Sequence, residues 1–533
     1  MERVLLCGVD AQSEGARRVG FWKHAQDDPG YLAIVDPDGT EHTAGEILAR
    51  ANQLSHALRA LGLNKGDAVA AVLPNGAHPF IVYLAALQTG LYYVPINYRL
   101  SAPEIAYILE DSDAKAFVSH ERFAALVSAA ADEAKIPAEA RLAHGTIPGF
   151  RSFSELVDAQ ASTSPETRAT GAAMHYTSGT TGKPKGVKRA LVDIDPDMSA
   201  ELFTFLLQLF GIMPAHDEVH LSTSPNYHTA VTTFAGNALH MKHTVVCMDR
   251  WDPEETLRLI ERYGCSHTHM VPTQFIRMLQ LPDEVKQQYD VSAMKWAIHA
   301  AAPCPVDTKR KMLEWWGPVI WEYYAATEGG GTIAPPDEWL KYPGTVGRVW
   351  PNSELKITDD DGNVMSTGEP GTVWMRMGAG RTFEYKGDDE KTKKSHDDEG
   401  FFTVGDIGYL NDDGYLFLCD RKSDMIIAGG INIYPAEIEG CIQEHPQVAD
   451  IAVFGIPDPE MGEQIKAVVQ PLPGVAGDDA LRASIMEHVQ RRLGKYKWPR
   501  SIDFMDELPR EPTGKLLKRT LRDPYWEGRD RAI

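Results

Sequence analysis

At 533 residues the chain is longer than one ordinary hydrophobic core sustains, so two or more domains are expected. Its 43% hydrophobic and 24% charged residues are those of a globular protein. The net charge of −22 argues against nucleic acid as a partner, yet leaves room for an anionic nucleotide in a locally basic pocket.

The first residues, Met1 to Val9, hold one early Arg and a short apolar stretch without the pattern of a secretory signal. Thr43-Ala44-Gly45-Glu46 has the form of a capping box, and Ile47, Leu48, Ala51, Leu54, Leu58 and Leu61 follow at helical spacing up to Gly62. A strand is expected over 68–73, then an apolar helix through Phe80, Ile81 and Leu84. Ser101-Ala102-Pro103-Glu104 opens another capped helix, followed by a strand over 114–118. Strands alternating with helices imply parallel sheets covered on their faces. The stretch 129–168 reads as a surface excursion between two such units. The apolar stretch 203–213 is too short to span a bilayer and reads as a buried helix. From 345 to 415 short β segments are broken by Gly, Asp and Asn, as in a small barrel or distorted sheet. After Asp420 helix and strand signals alternate again over a small domain's length. Six cysteines without a Cys-x-x-Cys pair signal neither a disulfide framework nor a zinc ribbon, and a reducing cytoplasm fits best.

The strongest chemical signal is Tyr176-Thr-Ser-Gly-Thr-Thr-Gly-Lys-Pro-Lys-Gly-Val187. Glycines, hydroxyls and two lysines so close together make a loop that can wrap phosphates. It is not a Walker A loop, because Gly179 stands only three residues before Gly182 and Pro184 follows Lys183. This segment resembles the adenylate-forming superfamily of acyl-CoA synthetases, firefly luciferase and peptide-synthetase adenylation domains. Tyr324-Ala-Ala-Thr-Glu328, Gly405-Asp406, Asp420-Arg-Lys-Ser-Asp424, Gly429-Gly430-Ile-Asn432 and Pro509-Arg-Glu-Pro-Thr-Gly-Lys515 resemble further segments of that family in the same order. The resemblance runs from about Gly20 to Arg519.

The resemblance implies an α/β fold. A large N-terminal AMP-binding domain, residues 1–420, would hold two doubly wound α/β subdomains and a small distorted β-barrel. A small mobile α+β lid, residues 421–533, would carry the catalytic lysine. ATP would be held by Thr177, Ser178, Gly179, Thr180, Thr181, Gly182, Lys183 and Lys185, by Ala301 and Ala302, and by Glu322, Tyr323, Tyr324 and Thr327. Asp406 would take the ribose hydroxyls, with Arg421 as a further contact and Lys515 at the forming bond. Catalysis would fall to Lys515, Thr327, Glu328 and His228, and magnesium to Glu328 and Thr180. Ser423 would be the hinge, and Gly429 and Gly430 would line the channel for coenzyme A. Tyr227, His228, Ala300, Ala326, Gly329 and Gly330 would border the acyl group.

Two departures stand out: Ala325 replaces the family's usual Gly, and Ser423 stands where Asp or Lys is usual. Cys265-Ser-His267-Thr-His269 puts three metal-capable side chains on one strand face, but without a fourth ligand it reads as structural.

The expected reaction is AMP-forming acid–CoA ligation through an acyl-adenylate, with ATP, Mg2+ and coenzyme A. Small residues around the acyl position point to a medium- or long-chain fatty acid or a bulky alicyclic, steroid-like acid. An aryl-acid CoA ligase, or a stand-alone enzyme loading a carrier protein, are the alternatives. Nucleic acid and transmembrane segments are not expected; the sequence does not fix the assembly, for which a homodimer is the common prior.

Overall fold

The computed structural model describes residues 19–177, 184–214, 217–351, 353–378, 383–510 and 516–528. Two large sheets organise the first part of the chain. One has six parallel strands, in the spatial order 151–152, 141–144, 114–120, 68–72, 92–95 and 172–173. The other has nine. Its centre is a parallel run of Leu32–Val35, Thr244–Cys247, Val219–Ser222, His267–Met270, Trp296–His299 and Ile320–Ala326. Antiparallel strands Glu41–Thr43, Gly329–Ala334 and Arg348–Val349 finish its edges.

Helices Ala44–Ala60, Ala77–Thr89 and Thr229–His240 share one continuous core with strands of both sheets. That core explains the all-round apolarity of Ala77–Thr89, nearly every residue of which is buried. Gly236 lets two of these helices touch, since a Cβ there would lie 2.9 Å from the Tyr83 hydroxyl. Both capping boxes form, Thr43 with Glu46 and Ser101 with Glu104.

Two expectations need correction. The stretch 129–168 is not a surface excursion: it supplies strands Arg141–His144 and Arg151–Ser152 of the six-stranded sheet, and buries Leu142, Phe153 and Val157. Its Ala, Ser and Glu content hid two short strands. The stretch 203–213 is not one buried helix either. It breaks at Thr204 between Pro196–Phe203 and Phe205–Leu209, burying Leu207, Phe210 and Ile212 but exposing Phe203, Phe205 and Met213.

A four-stranded antiparallel sheet, Ser353–Thr358, Gly371–Met377, Asp406–Leu410 and Leu416–Arg421, packs its own core around Val373, Met375 and Phe402. A three-stranded sheet joins His175–Thr177 and Lys185–Lys188 to Glu384–Tyr385. Beyond Arg421 a mixed sheet of Ile426–Ala428, Ile431–Ile433, Val448–Asp458, Gly462–Pro471 and Ser501–Phe504 is backed by helices Pro435–Gln443 and Asp479–Gln490. This last unit has a separate core built on Ile438, Ile442, Val453, Val469 and Ile485. The whole is an α/β fold with two doubly wound sheets, a small distorted β unit and a separate C-terminal α+β region.

Candidate functional site

Ligands of open parallel sheets bind beyond the carboxyl ends of the strands. In the nine-stranded sheet three of the singled-out segments leave from such ends. Tyr227-His228 follows Val219–Ser222, Ala300 to Ala302 follow Trp296–His299, and Thr327-Glu328 follow Ile320–Ala326. The topology thus brings together residues a hundred positions apart: Thr229 Oγ1 lies 3.4 Å from Thr327 Oγ1. The guanidinium of Arg189 donates to the Thr327 carbonyl.

Along Ile320–Ala326 successive side chains face opposite ways. Tyr324 turns towards the four-stranded sheet, where its hydroxyl donates to Asp406 Oδ2 at 2.6 Å. Burial, and then the Asp406 carboxylate, push that hydroxyl well above its ordinary value, so it remains a donor. The other carboxylate oxygen of Asp406 lies 3.2 Å from Arg421 Nε. Tyr323 faces the opposite side, into an apolar cluster with Phe210, Phe234 and Ala300, and its hydroxyl lies 3.1 Å from His269 Nε2. Glu322 is committed elsewhere. Its buried carboxylate pairs with Lys309 Nζ at 2.8 Å, which leaves its backbone, and not its charge, for any ligand.

Glu328 is 7% exposed, and its Oε1 accepts a 2.6 Å hydrogen bond from the Tyr385 hydroxyl. Among the described residues no cationic side chain lies within ion-pair distance of it. Arg421 and Lys391 act on it only from beyond that distance, and a buried carboxylate with no direct ion-pair partner is costly, so a closer cation suits this position. Its oxygen chemistry suits Mg2+, which takes one or two carboxylates together with phosphate oxygens and water.

His228 caps the start of helix Thr229–His240 with its backbone and packs against Tyr227, the ring centres 4.3 Å apart and the planes tilted. Its Nε2 is buried without a hydrogen-bond partner among the described residues. Burial, helped by His175 and Arg99, lowers its pKa to about 3, so the ring is neutral at neutral pH. Tyr227 is buried edge-on against Tyr98. Ala301 holds φ of +72°, a left-handed conformation that a non-glycine residue adopts at a cost of about 1–2 kcal/mol. Such strain at a strand end is characteristic of ligand sites.

The described part of the Gly-rich loop is its base. Thr177 and Lys185 are register partners in the strands that flank it, and Lys185 Nζ lies 3.2 Å from Asp388. Ser178, Gly179, Thr180, Thr181, Gly182 and Lys183 lie outside the described residues, as does Lys515.

The run Gly329 to Gly331 corrects the expectation that small residues there enlarge an acyl pocket. Gly329 and Gly330 have φ of +123° and +66°. A Cβ on Gly329 would meet Met377 Sδ at 2.5 Å, and one on Gly330 would meet Met375 at 3.2 Å and Phe402 at 3.3 Å. On Gly331 it would meet the Tyr324 carbonyl at 2.4 Å. The missing side chains make room for the neighbouring sheet at Gly329 and Gly330, and for the adjoining strand and Trp350 at Gly331. Ala326 pairs with Gly329 where the register shifts, and Ala300 is buried beside Ile298 and Phe234.

Gly429 and Gly430 form the two-residue turn between Ile426–Ala428 and Ile431–Ile433, both with positive φ, as a type I′ hairpin requires. At Ser423 the carbonyl accepts from Arg522 at 3.3 Å, and Asp420 Oδ2 accepts from the Ala436 backbone at 2.9 Å.

The histidines of 265–269 are core residues. His267 Nδ1 lies 3.0 Å from His220 Nδ1, and its Nε2 lies 3.1 Å from His243 Nδ1. Among the described residues no group of three His, Cys, Asp or Glu side chains is arranged to hold a metal.

Sequence reasoning passed over Tyr385, Asp388, Lys391 and Thr229. Tyr385 and Lys391 reach the site only because Glu384–Tyr385 pairs with Lys185–Lys188, a juxtaposition across some two hundred residues that no local pattern announces.

Residues 21–382 match the family described as AMP-binding enzyme, and residues 437–515 match the AMP-binding enzyme C-terminal domain. The chain is 32% identical over 507 residues to the long-chain-fatty-acid–CoA ligase FadD13 of Mycobacterium tuberculosis, covering 93% of this chain and 96% of that one. It is 31% identical over 537 residues to a Rhodococcus jostii CoA ligase for a 7a-methyl-1,5-dioxo-octahydroindenyl propanoyl group, covering 94% and 97%. ATP-bound MatB from Rhodopseudomonas palustris superposes with a TM-score of 0.81 at 29% identity, covering 95% of this chain and 99% of that one.

Proposed function

The chain belongs to the AMP-binding enzyme family, and from that premise we propose how its own residues carry out AMP-forming acid–CoA ligation. ATP and coenzyme A are co-substrates of this reaction. The observation that carries the reading is the ring of contacts at the end of strand Ile320–Ala326: Tyr324 on Asp406, Tyr385 on Glu328, and Thr229 beside Thr327.

In this reading the nucleotide lies across that strand end. Tyr324 flanks the adenine beside Ala301 and Ala302, and Asp406 accepts the ribose hydroxyls, aided by Arg421. The α-phosphate sits by Thr327, and the loop between Thr177 and Lys185 takes the β- and γ-phosphates. Mg2+, bound at Glu328 and Thr180, would supply charge neutralisation between the phosphates. Neutral His228 offers a nitrogen that can donate to a substrate carboxylate without bringing a charge. The carboxylate oxygen attacks the α-phosphorus in line, and diphosphate leaves with the bonding electrons. Lys515 stabilises the negative charge that accumulates there.

The second half-reaction needs a different arrangement. We infer that the boundary lies at Asp420–Arg421, with residues 1–420 in one domain and 421–533 in the other, and that Ser423 is the hinge. Rotation there would withdraw Lys515 and present the Gly429-Gly430 turn to the pantetheine arm. The thiolate then attacks the acyl carbon, and AMP leaves.

The acid is proposed to be large, a long-chain or fused-ring carboxylic acid. The support is that two relatives are named for such groups, a long-chain fatty acid and a fused-ring propanoyl acid. No helix among the described residues is long and apolar enough to cross a membrane. A panel of carboxylic acids, assayed for AMP formation dependent on free coenzyme A, tests the reading. Fused-ring or long-chain acids should give the highest kcat/KM. A preference for acetate or malonate, or transfer only to a carrier protein, contradicts it.

A further inference from the structure

The helix Asp389–Lys394 stands beside the phosphate site without belonging to any segment singled out in the sequence. Its position is fixed from both sides. Tyr385 pairs with Val187 in the strand that closes the Gly-rich loop, and its backbone N–H donates to Thr392 Oγ1 at 3.0 Å. Asp388 caps the helix by accepting from the Lys391 backbone N–H at 3.0 Å, and its other oxygen lies 3.2 Å from Lys185.

These contacts aim Lys391 at the site. Its ammonium lies 4.1 Å from the centre of the Tyr385 ring, a cation–π distance, and the hydroxyl of that ring is the donor to Glu328. Lys391 is half-buried. Glu328 and Asp388 are close enough to act on it electrostatically, yet among the described residues no carboxylate lies within ion-pair distance. Lys393 and Lys394 differ: both are exposed, and Lys394 pairs with Glu390 at 2.6 Å. A half-buried ammonium held on an aromatic face, beside the strand that closes the Gly-rich loop, is a built position for an anion.

We propose that Lys391 is a further nucleotide-binding residue, taking the diphosphate end of ATP alongside Lys185. This rests on the functional reading above, with the nucleotide phosphates between Glu328 and the strand Lys185–Lys188. Lys391 then neutralises the β- and γ-phosphates and stabilises departing diphosphate, while leaving the AMP half of the molecule untouched. Tyr385 is a positioning residue, orienting both the glutamate and the ammonium.

Calorimetric titration of the full chain with AMP and with α,β-methylene-ATP, each with and without Mg2+, tests the proposal on wild type, Lys391→Met and Lys391→Arg. Loss of one charge-assisted contact should weaken α,β-methylene-ATP about tenfold in Lys391→Met. AMP affinity should stay within about twofold, and Lys391→Arg should keep most of the analogue affinity. In turnover, inhibition by added diphosphate should weaken in parallel. Equal weakening of AMP and the analogue would overturn the proposal, because that is general damage to the site. No change in either would overturn it too. So would a reduced Mg2+ requirement with unchanged analogue affinity, because the lysine would then serve only as a counter-charge for Glu328. Wild-type protein that binds neither nucleotide would remove the functional reading and this proposal with it.

Discussion

The hydroxyl of Tyr324 donates to Asp406 at 2.6 Å, tying the end of the central parallel sheet to the four-stranded sheet at the place where a ribose would sit. Asp406 is thereby held from two sides, by Tyr324 and by Arg421. Tyr324→Phe keeps the ring and removes the donor. A hydrogen bond to a charged group is worth about 1.5–3 kcal/mol, so the KM for ATP should rise roughly tenfold or more, with a smaller change in kcat. Steady-state kinetics at saturating acid checks this, and an unchanged KM would mean that the aspartate needs no orienting.

Glu328→Gln keeps the shape and one acceptor oxygen for the Tyr385 hydroxyl but removes the charge. The Mg2+ concentration for half-maximal adenylation should rise by about an order of magnitude, since the metal loses its carboxylate ligand. Tyr385→Phe, which frees the carboxylate it now orients, should shift the same curve less. A Mg2+ titration of diphosphate release reads both, and coincident curves would remove Glu328 as a metal ligand.

Gly330→Leu tests what the glycine run is for. The side chain would enter a left-handed backbone position and press on Met375 and Phe402. Overpacking costs about 1–3 kcal/mol, and the backbone strain adds about 1–2 kcal/mol. The melting temperature should fall by several degrees, while the ratio of kcat/KM between a large and a small acid stays constant. A ratio that collapses for large acids in a stable protein would put the run back in an acyl pocket.

How far the sequence carries depends on the range of each signal. Thr43 with Glu46 and Ser101 with Glu104 are local, and their helices start where the capping residues stand. The strands 141–144 and 151–152 were hidden because they are short and join an existing sheet, so tertiary pairing makes them. At the site the same division holds. Thr327, Glu328 and Asp406 stand out as motif residues, but Tyr385 and Lys391 enter only through strand pairing. Gly329 to Gly331 show the opposite failure. Their composition suggests empty space, and only packing reveals that Met377, Met375 and Trp350 fill it.

The linked imidazoles of His220, His243 and His267 set a limit on acid stability. Burial lowers the pKa to about 3 for His220 and about 4 for His243, and holds His267 well below its ordinary value. Unfolded, each titrates near 6.5, so the unfolded chain binds more protons below that pH. Stability should therefore be pH-independent in these groups above about 6.5, and should fall as the pH drops from there towards about 4. His42, whose pKa is raised by Asp36, works weakly in the other direction. Melting temperatures between pH 5 and pH 7.5 check the sign. A rise in stability on acidification would contradict the neutral, buried cluster.

The central claim is that one chain runs two half-reactions, with Lys515 serving only the first. The direct measurement is a single-turnover comparison of wild type and Lys515→Ala, following acyl-adenylate formation from ATP and a fused-ring or long-chain acid, and separately acyl-CoA formation from supplied acyl-adenylate and coenzyme A. Losing one preorganised donor should slow adenylation about a hundredfold to a thousandfold. The transfer from supplied acyl-adenylate should stay within a few-fold of wild type. Equal losses in both steps, or undiminished adenylation, would contradict the account.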